Sequence, residues 1–454
     1  MQILTPCRET LGQKLAQPAW HRDPELALFD TLLLLHPEII DLVTEEVLAL
    51  GTHTGLGRQD SPTVEQVLRA ALYKEIKGLT YPELEYHQYD SKVAAMFLQL
   101  TRPFSDSTWQ KYIATISAAS LAQVLVRLNQ IALEEGLEDL QKVRMDTTVV
   151  ETDIHYPTNN RLLWDGIRTS TRILRQFDAK RVRRLTRDYR RQAKKRAFQL
   201  AVTRDKPRRQ ELFRQQLLLV GRCIAQIQAI LTHLDFRAIP LSEADQRRVA
   251  YLRDFLPHFQ TIQQVAYRRE ILDEAVPAQN KLFSLYETHT RMIVKGKDKV
   301  YFGRKVSLAS GRSQLILHVW VCEEETDGQT FEPTLQDIIA TYHRIPRDVA
   351  TDGAYASGPN QQAAQKLGIA NIVFNKLVGS LHNIVSSPQM ETRLKKWRSG
   401  IEGVISTVKR AFDLRRCRWK GEAHFQAKVF WSVIAYNLRV MSHLLLRKMA
   451  RSVG

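Results

Sequence analysis

Three acidic residues stand in contexts that suit them for chemistry at one site. Asp146 lies in the β-branched run KVRMDTTVVETDI, Asp352 ends the run RDVATD just before Gly353, and Glu402 lies in the basic stretch KKWRSGIEGVISTVKRAF. In-line attack on a phosphodiester needs an activated attacking oxygen and a stabilised leaving oxygen, and two divalent ions about 3.5–4 Å apart supply both. Magnesium takes oxygen ligands and keeps several waters, so a few carboxylates and the scissile phosphate suffice. In this reading Asp146 bridges the two ions from a strand. Asp352 binds from the end of a second strand, where Gly353 lets the chain turn, and Glu402 completes one ion from a helix. No His or Cys cluster at metal-ligand spacing is present. Arg398 and Lys409, four residues before and seven after Glu402, share its helix face and are placed to hold phosphates beside the ions. Taken singly, each feature has a plainer explanation: a hydrogen-bonded strand Asp, a surface Arg–Glu pair, a TDG turn. Their joint placement on matching elements favours the site. Glu151 and Asp153 rival Asp146 but lie an odd number of residues away, on the opposite face of a regular strand.

The charge balance points to the substrate. The chain of 454 residues carries 66 Lys and Arg against 48 Asp and Glu, a net +18. Such an excess favours polyanions, nucleic acid first and an anionic membrane surface second. A membrane is the weaker reading. ALFDTLLLLHPEII and VFWSVIAYNLRVMSHLLL are interrupted by Asp30, His36, Asn437, Arg439 and His443, short of the roughly 20 apolar residues of a span. The N-terminus has no basic-then-apolar signal pattern. The four cysteines are scattered, with no CxxC pair, so a reduced, cytoplasmic protein is expected.

The length suggests about three domains, and the periodicity shows where they divide. Residues 1–140 read as a helical module. Within it, GTHTGLGRQDSP is a linker leading to a helix capped by Ser61 with Pro62 at its first position, and Gly78 stops that helix. TYPELEYHQ is a short helix, and SDSTWQKYIATISAASLAQVLVRLNQIALEEG continues the module from a cap at Ser105 or Asp106 to Gly136. Short helices with tight turns suit a helix-turn-helix type of DNA contact, with a plain helical bundle as the alternative. Residues 141–159 hold the first strand of a catalytic core, with Arg144 and Asp146 on one face and Val143, Met145 and Thr147 on the other.

Residues 160–285 read as a basic helical insertion. A basic run is usually a solvated face, but KRVRRLTRDYRRQAKKR is too one-sided in charge for alternating ion pairs, so Arg183, Arg184, Arg190 and Arg191 are expected on the DNA backbone. Residues 286–450 complete the core. A hairpin (KVYFGRKVSLA, then QLILHVWVC) is followed by the helix EPTLQDIIATYHR, the strand RDVATD, a helix, the strand IANIVFN, a helix from about Leu394 carrying Glu402, and a long apolar helix. Strand, insertion, hairpin and then α/β alternation is a mixed α/β plan of the ribonuclease-H-like kind, a mixed sheet flanked by helices.

These segments resemble the DDE transposases of bacterial insertion sequences. MDTTVVETDIHYPTNNRLLWDG resembles the first-Asp segment of a group that carries a similar HYPT stretch. FGRKVSLA, whose Lys305 is expected to bind DNA phosphate, resembles the second-strand segment, and ATDGAY the second-Asp segment. RSGIEGVISTVKRAF is similar to the Arg-x3-Glu-x6-Lys part of the C-terminal signature, met by Arg398, Glu402 and Lys409. The signature's Tyr, three residues earlier, is Lys395 here, and Asn159 stands where the group often has Asp. TVEQVLRAALYKEIKGLTYPELEYHQ and FSDSTWQKYI resemble the helical module that precedes the core, whereas the insertion matches only in position and character. The resemblance implies cleavage at the ends of a mobile element and joining of the freed 3′-hydroxyl to target DNA. It implies magnesium as the ion with manganese as a substitute, double-stranded DNA as partner, a dimeric assembly on DNA, and a nucleoid-associated bacterial enzyme. A nuclease of the same fold that cuts without joining, and a DNA-binding protein with a disused triad, are the alternatives.

Overall fold

The computed structural model describes residues 23–50, 61–237, 241–296, 299–377 and 381–453. The linker expected before Ser61 lies largely outside them, as does Cys7. Among the described residues seven helices come first: α1 (Pro24–Leu35), α2 (Glu38–Leu48), α3 (Val64–Lys77), α4 (Tyr81–Asp90), α5 (Lys92–Phe97), α6 (Asp106–Ile113) and α7 (Ala118–Glu134). β1 (Lys142–Thr152) leads into α8 (Asn159–Arg175), α9 (Lys180–Leu185), α10 (Arg190–Val202), α11 (Lys206–Arg237) and α12 (Glu243–Glu270). The strands β2 (Arg291–Lys295), β3 (Lys299–Ser310) and β4 (Ile316–Val321) follow. Then come α13 (Asp327–Tyr342), β5 (Asp348–Thr351), α14 (Gly358–Lys366), β6 (Asn371–Phe374), α15 (Pro388–Arg398), α16 (Gly400–Ala411), β7 (Arg416–Cys417) and α17 (Glu422–Val453).

The chain divides into two compact units. The first takes the described residues up to Glu151, Arg304–Trp419 and those from Ala423 on. Its sheet places β4 on β3, then β1, then β5 and β6, with β7 on β1. The β3–β4 pair is antiparallel, and β1–β5 and β5–β6 are parallel. This is the mixed, ribonuclease-H-like sheet expected from the sequence. β1 is buried on both faces for most of its length, as a strand inside a sheet covered on both sides should be.

The helical module is pinned by buried charge. Arg69, 1% exposed, bonds Asp30 at 2.7 Å, Glu65 at 2.7 Å and the Phe97 carbonyl at 3.1 Å. Glu75 of α3 takes Lys74 at 2.9 Å and Lys428 of α17, both buried. The start of α3 differs from the sequence expectation. Thr63, not Ser61, is the cap, because its hydroxyl accepts from Gln66 N while the Gln66 side chain accepts from Thr63 N, a reciprocal pair that fixes the first turn. Gly78 does end α3, at φ 68°. The run expected to continue from Ser105 to Gly136 is two helices bent by 81°, since Ser117 caps a fresh start at α7.

α17 shows why apolar length is not the whole of its design. Asn437 gives Nδ2 to the Ile316 carbonyl at 2.8 Å and to Asn129 Oδ1 at 2.9 Å, and accepts from Ile316 N at 2.9 Å. The amide that breaks the apolar run thus satisfies the backbone of β4. By length and composition alone α11 and α17 would each suffice to cross a membrane. Their apolar residues pack into the core of α11's unit and of α17's unit respectively.

The second unit, Thr152–Gly303 with Lys420–Glu422, is a helical body around α8, which packs on α10, α11 and α12. A Cβ on Gly166 would collide with the Phe259 ring, so glycine sets the close approach of α8 and α12. Ser242 caps α12 as expected, accepting from Asp245 N. Buried Asp245 in turn accepts from Asp178 N and Ala179 N ahead of α9. β2, which the sequence reading passed over, pairs antiparallel with the Lys299–Gly303 part of β3.

Candidate active site

The three acids come from three elements of the first unit, and a single guanidinium touches all of them. Arg398 Nη2 lies 2.7 Å from Asp146 Oδ2 and 3.7 Å from Asp352 Oδ2, and Nη1 lies 3.0 Å from Glu402 Oε1. The parallel register explains why the first two meet. Lys142 pairs with Asp348, Val143 with Val349 and Arg144 with Ala350, so continuing it by two residues sets Asp146 level with Asp352. Asp146 also accepts from Thr147 N at 2.8 Å, and Asp352 from Gly353 N at 2.8 Å. Gly353 is required there. A Cβ would stand 2.6 Å from the Asn375 carbonyl oxygen and 2.7 Å from that of Lys376, both backbone atoms that cannot move aside.

The helix that carries Glu402 departs from the sequence reading. It was expected to start near Leu394 and hold Arg398 and Glu402 together. Instead α15 starts at Pro388, behind a Ser387 cap, and ends at Arg398, and α16 starts at Gly400. Ser399 keeps a right-handed helical backbone, φ −58° and ψ −22°, so the interruption barely redirects the chain and the four-residue Arg398–Glu402 pair still forms. Exposure grades across the acids: the side chains of Asp146, Asp352 and Glu402 are 18%, 42% and 67% exposed, against 8% for Arg398. Lys409 is half-buried near the end of α16, on the face of that helix that also carries Glu402.

Lys305 is placed differently from a phosphate ligand standing alone. Its Nζ pairs with Asp327 Oδ1 at 2.8 Å and donates to the Glu325 carbonyl at 3.2 Å. Asp327 also accepts from Thr147 Oγ1 at 3.1 Å, which links it to the residue after Asp146. This fourth carboxylate was missed. Its one sequence signal is the triplet Thr326-Asp327-Gly328, a repeat of Thr351-Asp352-Gly353. Tyr355 lies buried near both: burial, then the charges of Asp327 and Asp146, push its phenol far above the ordinary range, so it stays protonated.

Of the rival acids, Glu151 pairs with Arg416 at 2.7 Å, and Asp153 lines a cavity of the second unit with His155 and Asp165. In that unit Arg183, Arg184 and Arg191 are exposed. Arg190 instead grips Asp188, at 2.7 Å from Nη2.

The donor set suits a hard divalent cation, being carboxylate oxygens with no His or Cys among them. Among the described residues no group of three His, Cys, Asp or Glu is assembled to hold an ion; the positive charge at the centre of the three acids is that of Arg398. Asp352 and Glu402 are the two with room to swing.

Residues 284–438 match the family model for a transposase DDE domain. The matched segment contains Lys305, Asp352, Arg398, Glu402 and Lys409, whereas Asp146 precedes it. No curated protein and no solved structure matched the chain.

Proposed function

We propose, from a chain whose residues 284–438 carry a transposase DDE domain, that it cleaves phosphodiesters at the ends of an insertion sequence and joins the freed 3′-hydroxyl to target DNA. The observation that carries this reading is the convergence of Asp146, Asp352 and Glu402 on Arg398, which adds the one acid outside the matched segment. Asp146, Asp352 and Glu402 would hold two magnesium ions, or manganese in their place, and the ions when bound supply an activated oxygen nucleophile and a stabilised leaving oxygen.

The chain's own residues do the rest. Arg398 offsets one of the three carboxylate charges, and its planar fork matches a phosphate as well as a carboxylate. A phosphate arriving at the site competes for the same donors. Lys409 adds a point charge from the same face as Glu402. Tyr355, buried and held neutral, brings no charge. The partner is double-stranded DNA, met by the helical module and by the arginines of the second unit. The working form is a homodimer on DNA in a bacterial cytoplasm, at the nucleoid.

The test is incubation with duplexes carrying the DNA that flanks the coding region, in magnesium. Joined products are expected. Cut products alone would make the chain a nuclease of the same fold, and neither product would leave it a DNA-binding protein with a disused triad.

A second expectation concerns the basic arm. Replacing Arg183, Arg184, Arg190 and Arg191 with Ala weakens DNA binding and flattens its salt dependence, by roughly 0.9 in slope for each phosphate no longer neutralised. Arg183, Arg184 and Arg191 are exposed, so the flattening is expected to come from these rather than from Arg190, which Asp188 already engages. A slope that does not move would return these residues to a solvated surface.

A further inference from the structure

Arg398 is the last residue of α15, one residue before α16 begins, and one buried residue of β1 is bonded at that interruption. Arg144 is 3% exposed and lies two residues before Asp146 on the same strand face. Its Nε donates to Ser310 Oγ of β3 at 3.0 Å, and its Nη1 donates to the Trp397 carbonyl at 2.7 Å. Its guanidinium carbon sits 4.8 Å from the centre of the Trp397 ring. A Cβ on Gly400 would collide with the same Nη1. One side chain is therefore bonded to the residue before Arg398 and closely packed on the first residue of α16.

A cation at the C-terminal carbonyls of a helix is favourable, but solvent-exposed lysines would serve for that. Burying a guanidinium costs far more and returns specific geometry. The geometry points to Arg144 as a positioning residue: it ties the strand that carries Asp146 to the break between α15 and α16, and so fixes where Arg398 and Glu402 meet that acid. This rests on the cleavage reading only for its effect on rate.

Two substitutions probe it. Arg144→Lys keeps a charge but loses the fork that spans Ser310 and Trp397. Gly400→Ala leaves Arg144 in place and ordinarily favours a helix, so harm from it reports the collision. Amide exchange by mass spectrometry on the stretch 396–403 is expected to speed up in both, with the thermal midpoint kept. Single-turnover cleavage of end DNA is expected to fall about 10–100-fold, as when a group that orients a functional ligand is removed, with affinity for that DNA in the absence of metal retained. In an Arg398→Gln background, Arg144→Lys is expected to cost little more, because both act through one contact.

Unchanged local exchange overturns the inference whatever cleavage does, and so does a full additional loss in the Arg398→Gln background. Should wild-type protein cut no DNA, the proposed function fails, and the exchange measurement still decides the role of Arg144. Should Arg144→Lys fail to fold, Gly400→Ala carries the test.

Discussion

Replacing Asp146 with Asn is expected to abolish the proposed strand cleavage, by a factor on the order of a thousand or more, and to leave binding to end DNA nearly intact. The substitution is isosteric. The amide oxygen still accepts from Thr147 N, as Oδ1 does now at 2.8 Å, so β1 keeps its local hydrogen bond. What disappears is the negative charge that faces Arg398 at 2.7 Å. In the proposed reading affinity for DNA resides elsewhere, in the helical module and the exposed arginines, and is expected to persist. An interaction lost only in the reacting state lowers the rate without lowering binding. Gel-shift titration beside a cleavage time course reads both. Cleavage that survives would remove Asp146 from the site. Neither rival would then inherit the role easily, because Glu151 is engaged with Arg416 and Asp153 belongs to the second unit.

Glu75→Gln has the largest expected effect on stability, a loss of about 3–5 kcal/mol for the first unit, the usual result of removing one partner of a buried ion cluster. Lys74 and Lys428 would remain buried with no carboxylate between them. Burial alone would raise the Glu75 carboxyl, yet the ammonium groups of Lys428 and Lys74 outweigh it and hold the group below the usual carboxylate range. The sign of the pH dependence follows. With the folded value depressed, the stabilisation is fully present above the unfolded value of about 4.3. It is lost as the pH falls below that value and through the depressed folded one. Denaturant unfolding from neutral pH into the acid range, for wild type and Glu75→Gln, shows the gap between them closing. A variant within about 0.5 kcal/mol of wild type at neutral pH would equal an ordinary surface substitution and sink this account.

Much of the catalytic core was legible because its signals are local. The β-branched run around Asp146, the short apolar runs ending at Asp352 and Phe374, and the hairpin separated by SGRS all form the strands expected of them. The convergence of the acids was legible as a pattern of residue types, though its geometry was not. The break at Ser399 was not foreseen: Ser399 itself stays helical, and Arg144, bonded beside the break, is 253 residues away from its partner Trp397. Asp327 escaped for the same reason: its neighbours Thr147 and Lys305 are tertiary ones. The misplaced cap of α3 was a local error, since Ser61-Pro62 and Thr63-x-x-Gln66 are both good start signals and only the second closes a reciprocal pair. The turn between α6 and α7 hid within a run whose apolar spacing continues through it.

The amide of Asn437 has a consequence for how the protein behaves in company. β4 lies at a margin of the sheet, with β3 as its strand neighbour. At its first residue, Ile316, the groups that another polypeptide would seize are already taken by Asn437 and Asn129. A leucine at 437 would suit the apolar helix better but would leave the Ile316 N–H without its acceptor, the carbonyl still held by Asn129. Sheets with bare margins recruit further strands. At Ile316 the amide of Asn437 keeps the polar groups of that margin occupied.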